Sequence, residues 1–154
     1  MAKKEFEYKI EYELDQKTGQ VMATIPELNH ISSFGDSFAE AEANVKEAAL
    51  GYLEVLQKTN RKVPMPVFHT EGTYLKIFQW YMAKLKPLKA PMVVRKLKRA
   101  GFVETHQRGS HLYLIKGNKI AGVPMHSNKD VPTGTLYNIV VHQAGLTVEE
   151  FSKL

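Results

Sequence analysis

The sequence predicts an α+β fold of two small domains, residues 1–81 and 82–154. Three observations predict it. Strand-like and helix-like periodicities follow one another in the order β-β-β-α-β before the boundary. They follow in the order α-β-β-β-α after it. Charge changes sign at the same place: residues 1–81 hold nine Lys and Arg against twelve Asp and Glu, whereas residues 82–154 hold twelve against four, giving nets of −3 and +8.

In the first half, Phe6, Tyr8, Ile10, Tyr12 and Leu14 alternate with Glu5, Glu7, Lys9, Glu11 and Glu13. Period two with a charged outer set predicts a half-buried strand. Asp15 to Gly19 is a turn, and Val21, Ala23 and Ile25 alternate in a second strand, so the two form a hairpin. Pro26 ends it. His30 to Phe34 is a short third strand. Ser37 and Glu40 have the spacing of a capping box at a helix start. Val45, Ala48, Ala49, Tyr52 and Leu56 give that helix one apolar face, with Glu40, Lys46, Glu47 and Glu54 mostly off it. Thr59 to Pro66 is a loop, and Gly72 to Phe78 reads as a strand returning to the sheet.

In the second half, Pro91 suits a helix's first turn, Val93, Val94, Leu97 and Ala100 make its buried face, and Gly101 closes it. Phe102 to His106 is a strand, Arg108 to Ser110 a turn, and His111 to Lys116 a second strand. Gly117 and Asn118 turn the chain into a third, Lys119 to Val123. Pro124 to Pro132 reads as a loop, Thr133 to His142 as a helix ended by Gly145, and Thr147 with Glu150 as a capping box for a last short helix.

The chain has 154 residues and no cysteine, which excludes disulfides and thiolate chemistry. No apolar run is long enough to span a bilayer, and the first residues lack the apolar core of a signal peptide, so a cytoplasmic location and no membrane partner are expected. Asp15, Asp36 and Glu47 are the carboxylates that could make a metal site. Asp15 suits a turn and Asp36 a helix start, so neither metal nor cofactor is expected.

The candidate chemistry centres on His111, preceded by Arg108, Gly109 and Ser110 and surrounded by cations. On residue identity alone, a packed structural histidine is the commoner case. A lone imidazole in a basic setting is nevertheless sufficient equipment for cutting RNA, whose 2′-hydroxyl is its own nucleophile. Gly109 leaves room for a phosphate or ribose at the backbone, Ser110 offers a hydroxyl, and His111 accepts the 2′-hydroxyl proton. Backbone N–H groups near Thr135 and Leu136 open a helix and suit a phosphate. Arg108, Lys116, Lys119 and Lys129 supply backbone attraction. His126 reads either as an acid for the leaving oxygen or as a loop-holding residue. His106 and His142 read as surface residues.

Arg108-Gly-Ser-His111, Val123-Pro-Met-His126 and Gly134-Thr-Leu136, in this order, resemble the HicA toxins, small mRNA-cleaving proteins of toxin–antitoxin systems. The resemblance runs from about Met82 to Phe151 and implies a double-stranded-RNA-binding-like fold with His111 as the catalytic residue. Tyr8 to Tyr12, Asp15 to Gly19, Pro26-Glu-Leu28, Ser33 to Ser37 and Glu47-Ala48 resemble the N-terminal domain of HicB antitoxins, which looks like a reduced ribonuclease-H fold. No DNA-binding segment follows it, so DNA binding is not expected.

The reading that results is a fused toxin and antitoxin. Its second half is a metal-independent endoribonuclease acting on single-stranded mRNA. Its first half masks the second, within one chain or reciprocally in a homodimer. The alternative is a non-catalytic RNA-binding or structural protein with locked halves.

Overall fold

The computed structural model describes residues 7–66 and 85–154. It is a mixed α+β structure with separate small sheets. The first, antiparallel, has β1 (Glu11–Leu14), β2 (Val21–Ile25) and β3 (Ile31–Gly35) in that order. The β1–β2 turn closes through Gly19 N–H on Asp15 O and Lys17 N–H on Asp15 Oδ1, both 2.8 Å. Pro26–Leu28 forms a 3₁₀ turn, as the proline after β2 dictates. The expected returning strand over residues 72–78 lies outside the described residues.

Two details of this half differ from expectation. Tyr12 and Leu14 are 40% and 53% exposed: among the described residues no strand lies beyond β1, and the Tyr12 ring meets Phe38 at 5.6 Å. Helix α1 (Phe38–Lys58) is capped by Ser37 Oγ, which accepts Glu40 N–H at 3.1 Å. The Glu40 carboxylate, however, reaches one residue further back, to Asp36 N–H at 2.7 Å.

In the second half, β4 (Leu88–Lys89) leads into α2 (Ala90–Arg99). Phe102 N–H bonds Leu97 O and Gly101 N–H bonds Lys98 O, the double closure of a Schellman motif. Then come β5 (Val103–Arg108), β6 (His111–Lys116) and β7 (Lys119–Pro124), one antiparallel sheet in that order, with a bulge between Glu104 and His106. Within the stretch expected to be loop, β8 (Asp130–Val131) pairs with β4. α3 (Thr133–Tyr137) runs into a π-helical turn, Asn138–Gln143, and α4 (Val148–Lys153) starts with the expected Thr147–Glu150 capping box.

The π turn, read as ordinary helix from the sequence, has a use. Its wider winding brings residues five apart onto one face. Asn138 Nδ2 thereby donates to Ser32 Oγ at 2.7 Å, while Gln143 Nε2 donates to His30 O at 3.0 Å and Gln143 Oε1 accepts Gly122 N–H at 2.9 Å. Both amides tie the C-terminal segment to the N-terminal one.

Helix α1 lies between the two three-stranded sheets. Leu114, Ala121 and Val123 point to a core built with α2, α3 and the π turn, whereas Tyr113 and Ile120 join Val45, Ala48, Tyr52 and Val55 of α1 in another. Alternation along β6 and β7 therefore buries both faces of their sheet. Tyr113 is fully buried and donates its hydroxyl to Ala48 O at 2.5 Å. Gly51 makes that approach possible: a Cβ there would stand 2.5 Å from Tyr113 Oη. A glycine that weakens an isolated helix is thus the residue that lets it dock.

Candidate functional site

His111 opens β6 directly after the two-residue turn Gly109–Ser110, where Gly109 has φ +52°. Its pairing with Pro124 and Arg108 fixes the strand end, and its ring points toward α1 and β3. It is 1% exposed. Nδ1 lies 2.9 Å from Glu47 Oε1, and Nε2 lies 2.9 Å from Ser33 Oγ. A carboxylate accepts only, so Nδ1 carries the proton and Nε2 accepts from the Ser33 hydroxyl.

The electrostatics agree with that tautomer. Burial pushes the His111 imidazole below its ordinary value, against the pull of Glu47, so the ring is neutral at pH 7. Partial burial works against the Glu47 carboxylate, but hydrogen bonds from His111 and Ser110 outweigh it and hold its pKa below the usual range. Both the N–H and the Oγ of Ser110 reach the same Glu47 Oε1, at 2.9 and 3.2 Å. A Cβ on Gly109 would stand 2.8 Å from Glu47 Cδ, so the missing side chain is what admits the carboxylate.

His126 stands beside this pair. Its ring centroid is 5.6 Å from that of His111, and its Nε2 is 3.4 Å from Ser33 Oγ. Burial and then Lys129 lower its pKa. It lines an open cleft of about 280 Å³ with Phe34, Glu40, Ser110, Met125, Ser127 and Lys129. Lys129 Nζ bonds Asp36 Oδ2 at 2.8 Å and lies 3.9 Å from Glu40 Oε1. Arg108 pairs with Glu54, whose other oxygen is 2.5 Å from His106 Nε2. His106 is therefore half-buried in an ion network, not a plain surface residue; exposed His142 stacks on His30 at 4.0 Å.

The fold brings Arg108, Gly109, Ser110, His111, His126 and Lys129 together and leaves three other candidates apart. Lys116 and Lys119 sit at the far end of the β6–β7 hairpin, about 17 Å along the strand from His111. Their amines reach Ala100 O and Gly145 O. Leu136 N–H is taken by Pro132 O in the helix's own first bond, and Thr135 is fully buried. Its Oγ1 has no hydrogen-bond partner.

Ser33 and the row Glu40, Glu47 and Glu54 were not evident as partners of the site. The seven-residue spacing of the three glutamates was the available signal, since it places them on one line of α1. Asp15, Asp36 and Glu47 have separate duties in a turn, on Lys129 and on His111. Among the described residues no group of three His, Asp or Glu could hold a metal ion, and no helix is long and apolar enough to cross a membrane.

Residues 91–146 match the family of HicA toxins of bacterial toxin–antitoxin systems. The chain thus carries a HicA toxin domain there, extending from the first turn of α2 past the π turn and including His111, His126 and Lys129. The N-terminal part is unassigned by that match. No curated protein matches the chain. Every contact made to His111 by Glu47 and Ser33 thus joins the HicA domain to residues outside it.

Proposed function

We propose that this chain is a fused toxin and antitoxin whose HicA domain is a metal-independent mRNA endoribonuclease, masked by a HicB-like N-terminal half. HicA family toxins are RNases, which makes RNA the substrate class and an antitoxin the expected partner. One observation carries the masking: both ring nitrogens of His111 are occupied by side chains of the N-terminal half.

The chemistry follows from that neutral imidazole. With Glu47 and Ser33 withdrawn, Nε2 accepts the proton of an RNA 2′-hydroxyl as the alkoxide attacks the adjacent phosphorus. The 5′-oxygen leaves with a proton from an acid, for which His126 is the nearest second imidazole. The products are a 2′,3′-cyclic phosphate and a free 5′-hydroxyl. In the masked chain the Ser33 hydroxyl already donates to Nε2, in the place of the substrate hydroxyl, and no 2′-hydroxyl can reach the base.

The competing reading, a locked RNA-binding or structural protein, is favoured by the shared core. Tyr113 and Ile120 of the HicA domain pack with α1, so the two halves bury one apolar cluster. The deciding experiment is RNA cleavage by the 82–154 segment, its folding verified by circular dichroism, against the full chain. Cleavage by the segment and little by the full chain supports masking. A folded segment with no cleavage supports the locked protein.

A further inference from the structure

Glu40, Glu47 and Glu54 are spaced at roughly 10.5 Å per step along α1, and drift about 20° around it per step. Each stands beside donors of the C-terminal half. Lys129 bonds Asp36 at 2.8 Å and lies 3.9 Å from Glu40. One oxygen of Glu47 collects Ser110 N–H, Ser110 Oγ and His111 Nδ1. Glu54 takes Arg108 and His106. The donors thus form a line of their own, Lys129, then Ser110 with His111, then Arg108 with His106.

That line has the chemistry of a polyanion track. Arg, Lys, a backbone N–H and a hydroxyl are the groups that hold phosphate oxygens, and a carboxylate is the nearest protein equivalent of such an oxygen. Three donors converge on a single oxygen above Gly109, where a Cβ would collide with that carboxylate. A mere pairing of opposite charges needs neither convergence nor a bare backbone. The hairpin cations Lys116 and Lys119 face protein carbonyls elsewhere.

We propose that the three glutamates of α1 occupy the positions of RNA backbone phosphates, so that single-stranded RNA crosses the HicA domain along Lys129, Ser110 and Arg108–His106 and not over the β6–β7 hairpin. The inference rests on the RNA reading above and adds the path, including His106 as a contact. It needs no cleavage. RNA and α1 compete for one set of donors, so weakening the hold of α1 raises the competent fraction and with it the apparent RNA affinity.

The test is fluorescence anisotropy of an uncleavable 2′-O-methyl oligoribonucleotide on the full chain. Glu40→Gln, Glu47→Gln and Glu54→Gln together should raise affinity on the order of tenfold. Adding Lys129→Gln, Arg108→Gln or His106→Gln to that triple variant should remove much of the gain. Lys116→Gln should remove less, and Arg95→Gln, on the exposed face of α2, serves as the control. Glu54→Gln alone is the fallback if the triple variant does not fold, and should still raise affinity. A folded Glu→Gln variant with unchanged affinity overturns the proposal, as does a loss at Lys116 equal to that at Arg108. A merely structural role for the glutamates would lower the melting temperature without raising affinity. Binding along this track without cleavage of ordinary RNA would reject the nuclease and leave the track intact.

Discussion

Glu47 Oε1 stands 2.9 Å from His111 Nδ1, across 64 residues of chain. It sits on the basic turn before His111 in the manner of an anion and, by accepting from Nδ1–H, leaves Nε2 as the accepting nitrogen. The Ser33 hydroxyl, on Nε2, is what covers the base.

His111→Ala in the 82–154 segment should abolish RNA cleavage, and expression of that segment should arrest growth only when His111 is present. Cleavage should survive excess EDTA, since the proposed chemistry uses no metal. A deoxyribose at the cut position should stop it. Gel assays of the cut RNA check all three, and equal rates for the His111→Ala segment would reject the assignment.

Masking should survive dilution and moderate salt. Exposed ion pairs such as Lys129–Asp36 contribute about 0–1 kcal/mol each and are screened. The apolar cluster of Tyr113 and Ile120 with α1 is not screened. The contact is made within one chain, so the specific activity of the full-length protein should be independent of its concentration. Activity that appears only on dilution would place the inhibitory contact between chains.

Gly51→Ala should lower stability by about 1–3 kcal/mol through overpacking against Tyr113, which outweighs the gain in helix propensity. Tyr113→Phe should cost about 1 kcal/mol for the lost bond to Ala48 O. Urea denaturation reads both. In the 82–154 segment Tyr113→Phe should have little effect, because Ala48 is absent.

Acid should loosen the structure. His111 and His126 have folded-state pKa values below their unfolded ones, both because of burial. Below about pH 6.5, the ordinary histidine value, the unfolded chain binds more protons, so stability falls with pH. Glu47, whose pKa is also depressed in the fold, adds a loss as pH falls through its folded value. Urea midpoints measured from pH 7.5 down to 4 should decrease below about 6.5. His111→Gln should flatten the upper part of that decline. A midpoint that rises on acidification to pH 5 contradicts the neutral, buried imidazole.

Ser33→Ala should cost about 1–3 kcal/mol, the penalty for leaving a buried acceptor on His111 Nε2. It should also raise residual RNA cleavage by the full chain, since it removes the hydroxyl standing on the base. Cleavage that stays at the full-chain level in a folded Ser33→Ala variant would show that Ser33 contributes packing only.

The sequence by itself determined what short-range physics encodes. The Ser37 and Thr147 caps, the closure after α2, the β6–β7 hairpin with its alternation, and the Arg108-to-His111 turn all depend on residues a few positions apart. So does the sign of the charge in each half. Only the tertiary structure decided that Glu47 and Ser33 meet His111, that Lys116 and Lys119 stand away from it, and that Asn138 and Gln143 share a face through a π turn. An apolar pattern says that Tyr113 is buried but not what it is buried against. A glutamate off the apolar face of α1 reads as solvated until a second sheet arrives on that side. The contacts of Glu47 and Ser33 with His111 span 64 and 78 residues, and they are set by how two surfaces fit, which no local periodicity records.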